Sequence, residues 1–292
     1  MEQDSRNLKT VFITGASSGI GESCALYLDR RGWRVFASVR KPVDAEQLRS
    51  RSSSNLTPLL MDVTDEASVT SAAATITETL GVAGLDGLVN NAGIALPGII
   101  EFMHLPDLRR QLEVNLVGQI AVTQAVLPLL RRNFGRIINI SSTSGLIAYP
   151  FFGPYTASKF ALEAISDALR LELRPWAIKV IVIEPGSVVT PIWEKSLRST
   201  EERIMRLPVK ALPLYAEYID RVRQMTISIG KAGISSETVS KMIELALISK
   251  HPKARYVVGL RTRLMVLVGR LAPVRLRDWF IAKQLGLDNK DQ

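Results

Sequence analysis

The chain has very few of the residues that form disulfides or metal centres. Among its 292 residues are one cysteine, Cys24, and two histidines, His104 and His251. A single cysteine excludes an intramolecular disulfide and suits a reducing compartment. Because neither histidine stands among spaced cysteines or acids that could complete a zinc site, we expect no metal.

Long apolar runs are also missing. The first residues, MEQDSRNLK, have no apolar core of signal-peptide length, and no run approaches the roughly 18 apolar residues of a membrane span. We therefore expect no signal peptide and no transmembrane helix, and a protein that is cytoplasmic or associated with the cytosolic side of a membrane. The length and the 47% share of hydrophobic residues predict one globular α/β domain over residues 1–292.

Positive charge is concentrated in one segment. The formal net charge is +9, and residues 250–283 hold nine lysines or arginines and one acid, Asp278, which gives +8. The remainder of the chain is therefore close to neutral. Nucleic-acid binding is one interpretation of such a segment, but no recognition motif accompanies it, so we expect no nucleic-acid partner.

A glycine-rich loop follows the first predicted strand. Residues 9–14 are apolar and rich in β-branched side chains, GASSGIG follows, and residues 22–31 have a helical pattern. Glycines in such a loop let the backbone approach a pyrophosphate, which then faces the free N–H groups of the helix. The candidate cofactor-binding residues here are Gly15, Ser17, Ser18, Gly19, Ile20 and Gly21.

The end of the second predicted strand, residues 34–39, carries two cations. An acid at this point would hydrogen-bond the ribose of NAD, whereas a cation tolerates the 2′-phosphate of NADP. The chain has Arg40 and Lys41. We therefore favour NADP(H), with NAD(H) as the alternative and with solvated charges at a strand end as the interpretation without a ligand.

Strands and helices alternate along the rest of the chain. Strands are predicted at residues 58–61, 85–89, 136–141, 178–183 and 255–258, with helices at 65–80, 107–132 and 235–249 and a helix that begins at Tyr155. This alternation predicts a parallel sheet that binds ligands at the carboxyl ends of its strands. Residues after these ends are further cofactor candidates: Asp62, Val63, Asn90, Ala92, Gly93, Pro185, Gly186, Val188 and Thr190.

The chemistry of the chain is expected around Tyr155. Lys159 lies four residues further along the predicted helix, so both side chains project from one face. A fixed positive charge favours a phenolate and lowers its pKa from about 10, which makes Tyr155 a candidate acid and base. Ser142 ends the preceding strand, where its hydroxyl could bond the same substrate oxygen. The alternative is a half-buried tyrosine beside a solvated lysine.

Two further features surround this pair. Asn115 lies in the middle of an apolar helical pattern, where an unpaired amide would cost stability and therefore invites a functional explanation. Residues 191–233 lose clear periodicity and are expected to form short helical pieces that act as a lid or specificity loop.

In series, the motifs TGASSGIG, DV, NNAG, VNLVG, the Ser142, Tyr155 and Lys159 set, and PGSVVT resemble the short-chain dehydrogenase/reductase family in its single-domain form. The resemblance covers residues 8–195. It implies a Rossmann-type, doubly wound parallel sheet of about seven strands, a nicotinamide cofactor, and a homodimer or homotetramer. The stretches FASVRK and YPFFGPYTASKFAL resemble the hydroxysteroid and retinol dehydrogenase branch.

The resemblance also implies roles for single residues. Tyr155 would be the acid and base, Lys159 would anchor a ribose and tune the tyrosine, and Ser142 would orient the carbonyl. Asn115 would hold a water of a proton relay. Asp62 and Val63 would contact adenine, Asn90 the adjacent ribose region, and Val188 the carboxamide.

The expected substrate is a hydrophobic alcohol or carbonyl compound, of the steroid, retinoid or long-chain class. Its pocket is predicted to be walled by Tyr149, Phe151, Phe152, Ile192 and Trp193. A largely apolar pocket with a few polar groups suits such a ligand. The alternative is that these side chains pack the core or an oligomer interface.

The segment 255–292 is predicted to hold a basic amphipathic helix. Leu260, Leu264, Leu267, Val268 and Leu271 share one helical face, and arginines lie off it. Such a helix can lie on an anionic membrane surface, or it can dock on its own domain or on a partner subunit.

Two functions follow from these observations. One is an NADP(H)-dependent alcohol dehydrogenase or carbonyl reductase. The other is a regulatory protein that binds the nucleotide with little turnover, although such a protein has no need of all four residues Ser142, Tyr155, Lys159 and Asn115.

Overall fold

The sheet at the centre of the computed structural model is parallel throughout. The structure describes residues 8–231 and 233–287, and this part contains seven strands. They are β1 (Thr10–Ile13), β2 (Arg34–Val39), β3 (Leu56–Leu60), β4 (Gly87–Asn90), β5 (Arg136–Ile140), β6 (Lys179–Pro185) and β7 (Arg255–Val258). Their order is β3-β2-β1-β4-β5-β6-β7. The predicted Rossmann-type sheet is therefore confirmed.

Helices connect the strands and cover both faces of the sheet. They are α1 (Gly19–Arg30), α2 (Pro42–Arg49), α3 (Glu66–Leu80), α4 (Leu105–Leu112), α5 (Gly118–Arg132), α6 (Gly153–Glu172), α7 (Ile192–Ile204), α8 (Leu212–Lys231), α9 (Ser236–Ile248), α10 (Leu260–Leu271) and α11 (Val274–Leu285). Strand β3 begins at Leu56, two residues before its predicted start. Pro58 lies inside this strand, which is tolerated because β3 forms the edge of the sheet.

Side chains of the central strands alternate between two cores. In β1, Val11 and Ile13 belong to the core on the side of α1 and α9, and Phe12 belongs to the core on the side of α3 and α5. All three are at most 1% exposed. A parallel sheet buried on both faces requires such continuous apolar runs, and this is why the strands were visible in the sequence.

The region predicted to be irregular is instead well ordered into two helices. α7 has 13 residues and α8 has 20, so the expectation of short helical pieces was wrong. Val222 and Thr226 of α8 are one turn apart and buried. Charged neighbours such as Asp220 and Arg221 obscure this spacing in the sequence.

The long predicted helix at 107–132 is divided by one π-helical segment, Glu113–Val117, between α4 and α5. By length and composition alone, the stretch Leu105–Arg132 could cross a membrane, with a mean hydropathy of 1.3 in its most apolar window. Among the described residues this is the one stretch with that character, and it contains polar residues such as Asn115 and Gln119. In the fold, α5 packs against α3 and β4, and its side chains Val122, Val126 and Leu130 are fully buried, which accounts for the composition.

A chain of buried amides and hydroxyls joins the sheet to α5 and α6. Asn90 Nδ2 donates to Thr123 Oγ1 and to Asn139 Oδ1, both at 2.9 Å. Asn139 Nδ2 in turn donates to Ser166 Oγ at 2.8 Å. Asn90 is 1% exposed and faces this network instead of the carboxyl edge of the sheet. Its side chain therefore fastens β4 to β5 and α5.

This network gives a stability prediction. Replacing Asn90 by Ala removes the donor to Asn139, and a buried polar atom left unpaired costs about 1–3 kcal/mol of unfolding free energy. Urea unfolding followed by circular dichroism measures the loss. Asn133→Ala, at an exposed position, is the control, with an expected change below about 0.5 kcal/mol. Wild-type stability together with weakened dinucleotide binding in Asn90→Ala would instead support contact with the ribose.

Candidate active site

A cavity of about 720 Å³ lies at the carboxyl ends of the strands. Its wall contains residues that follow β1 to β6, as expected for a parallel sheet. The predicted cofactor residues in this wall are Gly15, Ser17, Ser18, Gly19, Ile20, Arg40, Asp62, Val63, Ala92, Gly93, Tyr155, Lys159, Pro185, Gly186, Val188 and Thr190. The predicted residues Gly21, Lys41, Asn90 and Asn115 are not part of it.

The glycine loop depends on backbone conformations that other residues rarely adopt. Gly15 has φ +69° and Gly19 has φ +65°. Gly21 acts differently, since a Cβ there would collide with the carbonyl oxygen of Gly15 and with the amide of Asn91. Gly21 therefore lets α1 pack against the loop and does not line the cavity. The side chain of Ser18, the residue before α1, does not cap the helix, so it leaves the first-turn N–H groups available to a ligand.

Asn91, which the sequence did not mark as a site residue, braces the same loop. Its Nδ2 donates to the carbonyl oxygens of Thr14 at 2.9 Å and Gly15 at 3.0 Å. Two adjacent asparagines, Asn90 and Asn91, look alike in the motif NNAG. The distinguishing signal is the alternation of a strand, which turns neighbouring side chains in opposite directions.

The two cations that follow β2, Arg40 and Lys41, lie in different places. Arg40 lines the cavity, whereas Lys41 lies at the start of α2, outside the cavity wall. Arg40 faces Asp62, whose carboxylate accepts hydrogen bonds from the backbone N–H of Thr64 at 3.0 Å and its hydroxyl at 2.8 Å. Burial raises the pKa of Asp62, but the Thr64 bonds and Arg40 outweigh it and hold this pKa below its ordinary value. Asp62 is therefore an anionic acceptor beside Arg40.

The three predicted catalytic side chains meet in this cavity. Ser142 follows β5, and Tyr155 and Lys159 lie one turn apart near the start of α6. The Ser142 hydroxyl is close enough to the Tyr155 phenol to act on its pKa, in the direction that lowers it. Lys159 Nζ lies 5.9 Å from the centre of the Tyr155 ring and donates to the carbonyl oxygen of Ile140 at 2.8 Å. A hydroxyl, a phenol and an ammonium therefore converge at one end of the cavity.

The electrostatics of this group differ from the sequence expectation. Burial raises the pKa of Tyr155, and Ser142 opposes that rise only in part. Burial also lowers the pKa of Lys159 to about 8, against the opposing effect of Glu163. The expected lowering of the Tyr155 pKa by Lys159 is absent from this structure. The reason is that desolvation is the larger effect and Nζ is directed at Ile140.

Asn115 occupies the π-helical segment and is fully buried. Its Oδ1 accepts from the N–H of Ile94 at 2.8 Å, and its Nδ2 donates to the Ile94 carbonyl and to Ser158 Oγ, both at 3.0 Å. Gln111 holds the same loop through Ile94 and Leu96. The side chain of Asn115 therefore ties the loop after β4 to α6.

Four of the five predicted substrate residues line the cavity. They are Tyr149, Phe152, Ile192 and Trp193. The indole N–H of Trp193 donates to the carbonyl oxygen of Val188 at 2.9 Å, which fixes the start of α7 on the turn after β6. Phe151 does not line it, because a positive φ of 64° turns its ring toward Tyr218, with 6.3 Å between the ring centres.

The C-terminal helices complete the cavity, a role that the sequence did not indicate. Thr262 and Met265 of α10, and Ile281, Gln284 and Leu285 of α11, belong to its wall. Val266 and Leu285 are each 5% exposed, and Arg221 of α8 donates to the Leu285 carbonyl at 3.0 Å. These helices therefore dock on their own domain. Residues 288–292 of the predicted C-terminal segment lie outside the described residues.

Comparisons with known proteins agree with this geometry. The chain is 39% identical over 274 residues to retinol dehydrogenase 5 of Mus musculus, covering 92% of this chain and 86% of the relative. It is 36% identical over 280 residues to human 17-beta-hydroxysteroid dehydrogenase type 6, covering 94% and 88%. It is also 36% identical over 283 residues to the NADPH-dependent 3-dehydrocapnine reductase of Ornithobacterium rhinotracheale, covering 95% and 98%.

A solved structure and a family model complete the comparison. A crystal structure of a short-chain dehydrogenase from Streptomyces avermitilis has a TM-score of 0.78 and 27% identity, and covers 98% of this chain and 100% of that chain. The family model described as short chain dehydrogenase matches residues 9–201. Together with the cavity that joins a glycine loop to Ser142, Tyr155 and Lys159, these matches make the chain an NAD(P)-dependent oxidoreductase of the short-chain dehydrogenase family, in its hydroxysteroid and retinol dehydrogenase branch.

Proposed function

We propose that the protein is an NADP(H)-dependent oxidoreductase that interconverts a hydrophobic alcohol and its ketone or aldehyde. The observation that carries this proposal is the position of Ser142, Tyr155 and Lys159 in the wall of the same cavity as the glycine loop. A dinucleotide on that loop would share the cavity with a substrate that reaches the phenol.

The residues present fit a dinucleotide. The left-handed glycines and the uncapped start of α1 provide a surface where backbone N–H groups can meet a pyrophosphate. Asp62 is held ionised beside Arg40, so an adenosine would meet both an acceptor and a cation. Arg40 supports the choice of NADP(H), because a guanidinium suits a 2′-phosphate.

The bound nicotinamide would supply or accept the hydride. The side chains of the protein handle the proton and the substrate oxygen. Ser142 and Tyr155 both present hydroxyls to that oxygen, and Tyr155 donates a proton to it in the reductive direction. Because burial raises the Tyr155 pKa, the phenol carries this proton at neutral pH. Lys159 lies behind Tyr155 and is the group available to a ribose hydroxyl.

The substrate class follows from the rest of the wall. Tyr149, Phe152, Ile192 and Trp193 surround the reactive end with apolar surface. The relatives bear names that refer to retinol, a 17-beta-hydroxysteroid and 3-dehydrocapnine. We therefore propose a steroid, retinoid or long-chain carbonyl compound. Assembly as a homodimer or homotetramer stays a prediction.

The same C-terminal helices suggest a membrane contact. Large apolar side chains on their outer surface are exposed, namely Leu260, Leu264, Leu267, Val268, Leu271, Val274, Leu276, Trp279 and Phe280. This segment also holds most of the net positive charge. Apolar side chains among cations suit an anionic bilayer better than a second copy of an equally basic helix. We propose that α10 and α11 contact the cytosolic surface of such a membrane.

The acid and base assignment is tested with Tyr155→Phe, which removes only the hydroxyl. We expect kcat to fall by about 10²–10⁴, the usual contribution of a positioned proton donor, for any substrate found in a screen of steroids, retinoids and aliphatic carbonyls. The Kd for NADPH should stay within about twofold, a free-energy change below about 0.5 kcal/mol. Tyr27→Phe, whose hydroxyl bonds Glu244 away from the cavity, is the control. Full turnover in Tyr155→Phe would overturn the assignment.

The cofactor choice is tested by reversing charge at Arg40. Arg40→Asp should lower kcat/KM for NADPH relative to NADH by about 10–100-fold, because a hydrogen bond to a charged group contributes about 1.5–3 kcal/mol. Lys41→Asp makes the same charge change outside the cavity and should alter the ratio far less. An unchanged ratio in Arg40→Asp would show that the cation does not select the cofactor.

The membrane contact is tested by co-sedimentation with vesicles that contain phosphatidylglycerol. The combined substitution of Leu264, Leu267 and Leu271 by Ser should weaken binding at least tenfold, since each buried leucine contributes roughly 1.5–3 kcal/mol. Val82→Ser with Leu171→Ser removes exposed apolar side chains from other parts of the surface and is the control. Unchanged co-sedimentation, or a change confined to oligomeric state in light scattering, contradicts the proposal.

A further inference from the structure

One cation of the cavity wall comes from α7 and has no part in the chemistry described above. Among the described residues, the wall contains three cationic side chains, Arg40, Lys159 and Lys195. Arg40 faces the carboxylate of Asp62, and Lys159 Nζ donates to the carbonyl oxygen of Ile140 at 2.8 Å. Lys195 is the cation that is left without such a partner at either end of the cavity.

The ammonium of Lys195 lies over the start of α1. Its Nζ donates to Ser18 Oγ at 3.4 Å, and the Ser18 side chain does not cap the helix that it precedes. Within the described part of the chain, the residues of α7 that form ion pairs are Glu201 and Arg203. The charge of Lys195 is therefore held beside the glycine loop by a neutral hydroxyl.

The backbone brings α7 onto the same loop. A Cβ added at Gly19 would lie 3.2 Å from both Cβ and Cγ2 of Thr190 and 3.9 Å from Cδ of Pro191. Pro191 directly precedes α7, so the beginning of this helix packs against the glycine loop. Lys195 follows Pro191 by one turn, and this is why its side chain reaches across the loop to Ser18.

A pyrophosphate at this loop needs more positive charge than the helix offers. Each of its phosphates carries a negative charge, whereas the start of α1 contributes only about half a positive charge. Arg40 is already offset by Asp62, and Lys159 lies beside Tyr155 at the reactive end. A lysine ammonium binds phosphate as a point charge with three rotatable donors, which suits the flexible reach of Lys195.

We propose that Lys195 is a cofactor-binding residue, whose ammonium pairs with the pyrophosphate of a dinucleotide on the glycine loop. The inference rests on the proposed function, in which a dinucleotide occupies this loop, but it holds for NADP(H) and NAD(H) alike because both contain the pyrophosphate. Ile192 and Trp193 belong to the same helix and line the cavity. The contact therefore joins the bound cofactor to a wall of the substrate pocket.

The test measures the Kd of NADPH and of NADH for the full-length protein by isothermal titration calorimetry. Lys195→Met removes the charge and keeps an unbranched side chain. Both Kd values should rise by the same factor, about five- to tenfold, because a hydrogen bond to a charged group is lost at a position that is exposed to solvent. Arg40→Asp, in contrast, should change the ratio of the two Kd values.

Two further variants separate this contact from general attraction. Arg198→Met removes a cation from an exposed position of α7 outside the cavity wall, so both Kd values should stay within about twofold. Lys195→Arg keeps the charge and should also stay within about threefold of the wild type. Thermal unfolding of each variant verifies that the domain is intact.

Fragments of the cofactor locate the contact. Adenosine 2′,5′-bisphosphate retains a phosphate at the adenosine end of the pyrophosphate, and adenosine 2′-monophosphate does not. Lys195→Met should weaken binding of the bisphosphate and leave the Kd of the monophosphate unchanged. A loss confined to ligands with a 2′-phosphate, and therefore absent with NADH, would place Lys195 at the adenosine ribose and overturn the inference.

Chemical labelling gives a readout of Lys195 itself. In the wild type, saturating NADPH should slow acetylation of Lys195 by acetic anhydride, followed by mass spectrometry. Lys210, an exposed lysine before α8 that is outside the cavity wall, is the control and should react at an unchanged rate.

The outcomes distinguish the inference from the proposed function. Unchanged Kd values in Lys195→Met, an equal loss in Arg198→Met, or unchanged acetylation of Lys195 would overturn the inference while the wild type still binds its dinucleotide. A wild-type protein that binds neither NADPH nor NADH would refute the proposed function, and the inference with it.

Discussion

The ammonium of Lys159 is charged, buried and within reach of very few partners. Removing such a group from water is costly, and the cost is offset only by groups at fixed positions. In this protein those groups are the carbonyl oxygen of Ile140 at the end of β5 and the carboxylate of Glu163 on α6. Lys159 therefore ties the start of α6 to the end of β5. Tyr155 lies one turn before Lys159 on α6, so the same contact also fixes the position of Tyr155.

Buried amide side chains hold the other loops around the cavity in place through hydrogen bonds. Asn91 bonds the glycine loop, Asn115 and Gln111 bond the loop after β4, and Asn90 bonds the interior of the sheet. Each amide satisfies backbone or side-chain groups that would otherwise be buried without partners. The loops that form the reactive cavity are thus held by polar contacts within the fold.

The sheet and the reactive residues could be predicted because their signals are local. Runs of β-branched residues mark the strands, and Tyr155 and Lys159 are close in sequence. Signals that depend on distant packing were missed. Phe151 was misplaced because its backbone turns the ring away from the cavity, and the ion pair between Arg255 of β7 and Glu163 of α6 was missed because 92 residues separate them. The contribution of α10 and α11 to the cavity wall was missed for the same reason, because these helices are distant in sequence from the rest of the wall.

The indole of Trp193 has a consequence for how a bulky molecule reaches the phenol. Its bond to the Val188 carbonyl and its packing against Gly230 join α7, α8 and the turn after β6 into one unit. By contrast, α10 and α11 bury little more than Val266 and Leu285 of their large apolar side chains. Segments with few buried contacts separate from a domain at the lowest free-energy cost. This difference in burial makes the C-terminal pair, and not the tryptophan side, the wall of the cavity that costs less free energy to displace.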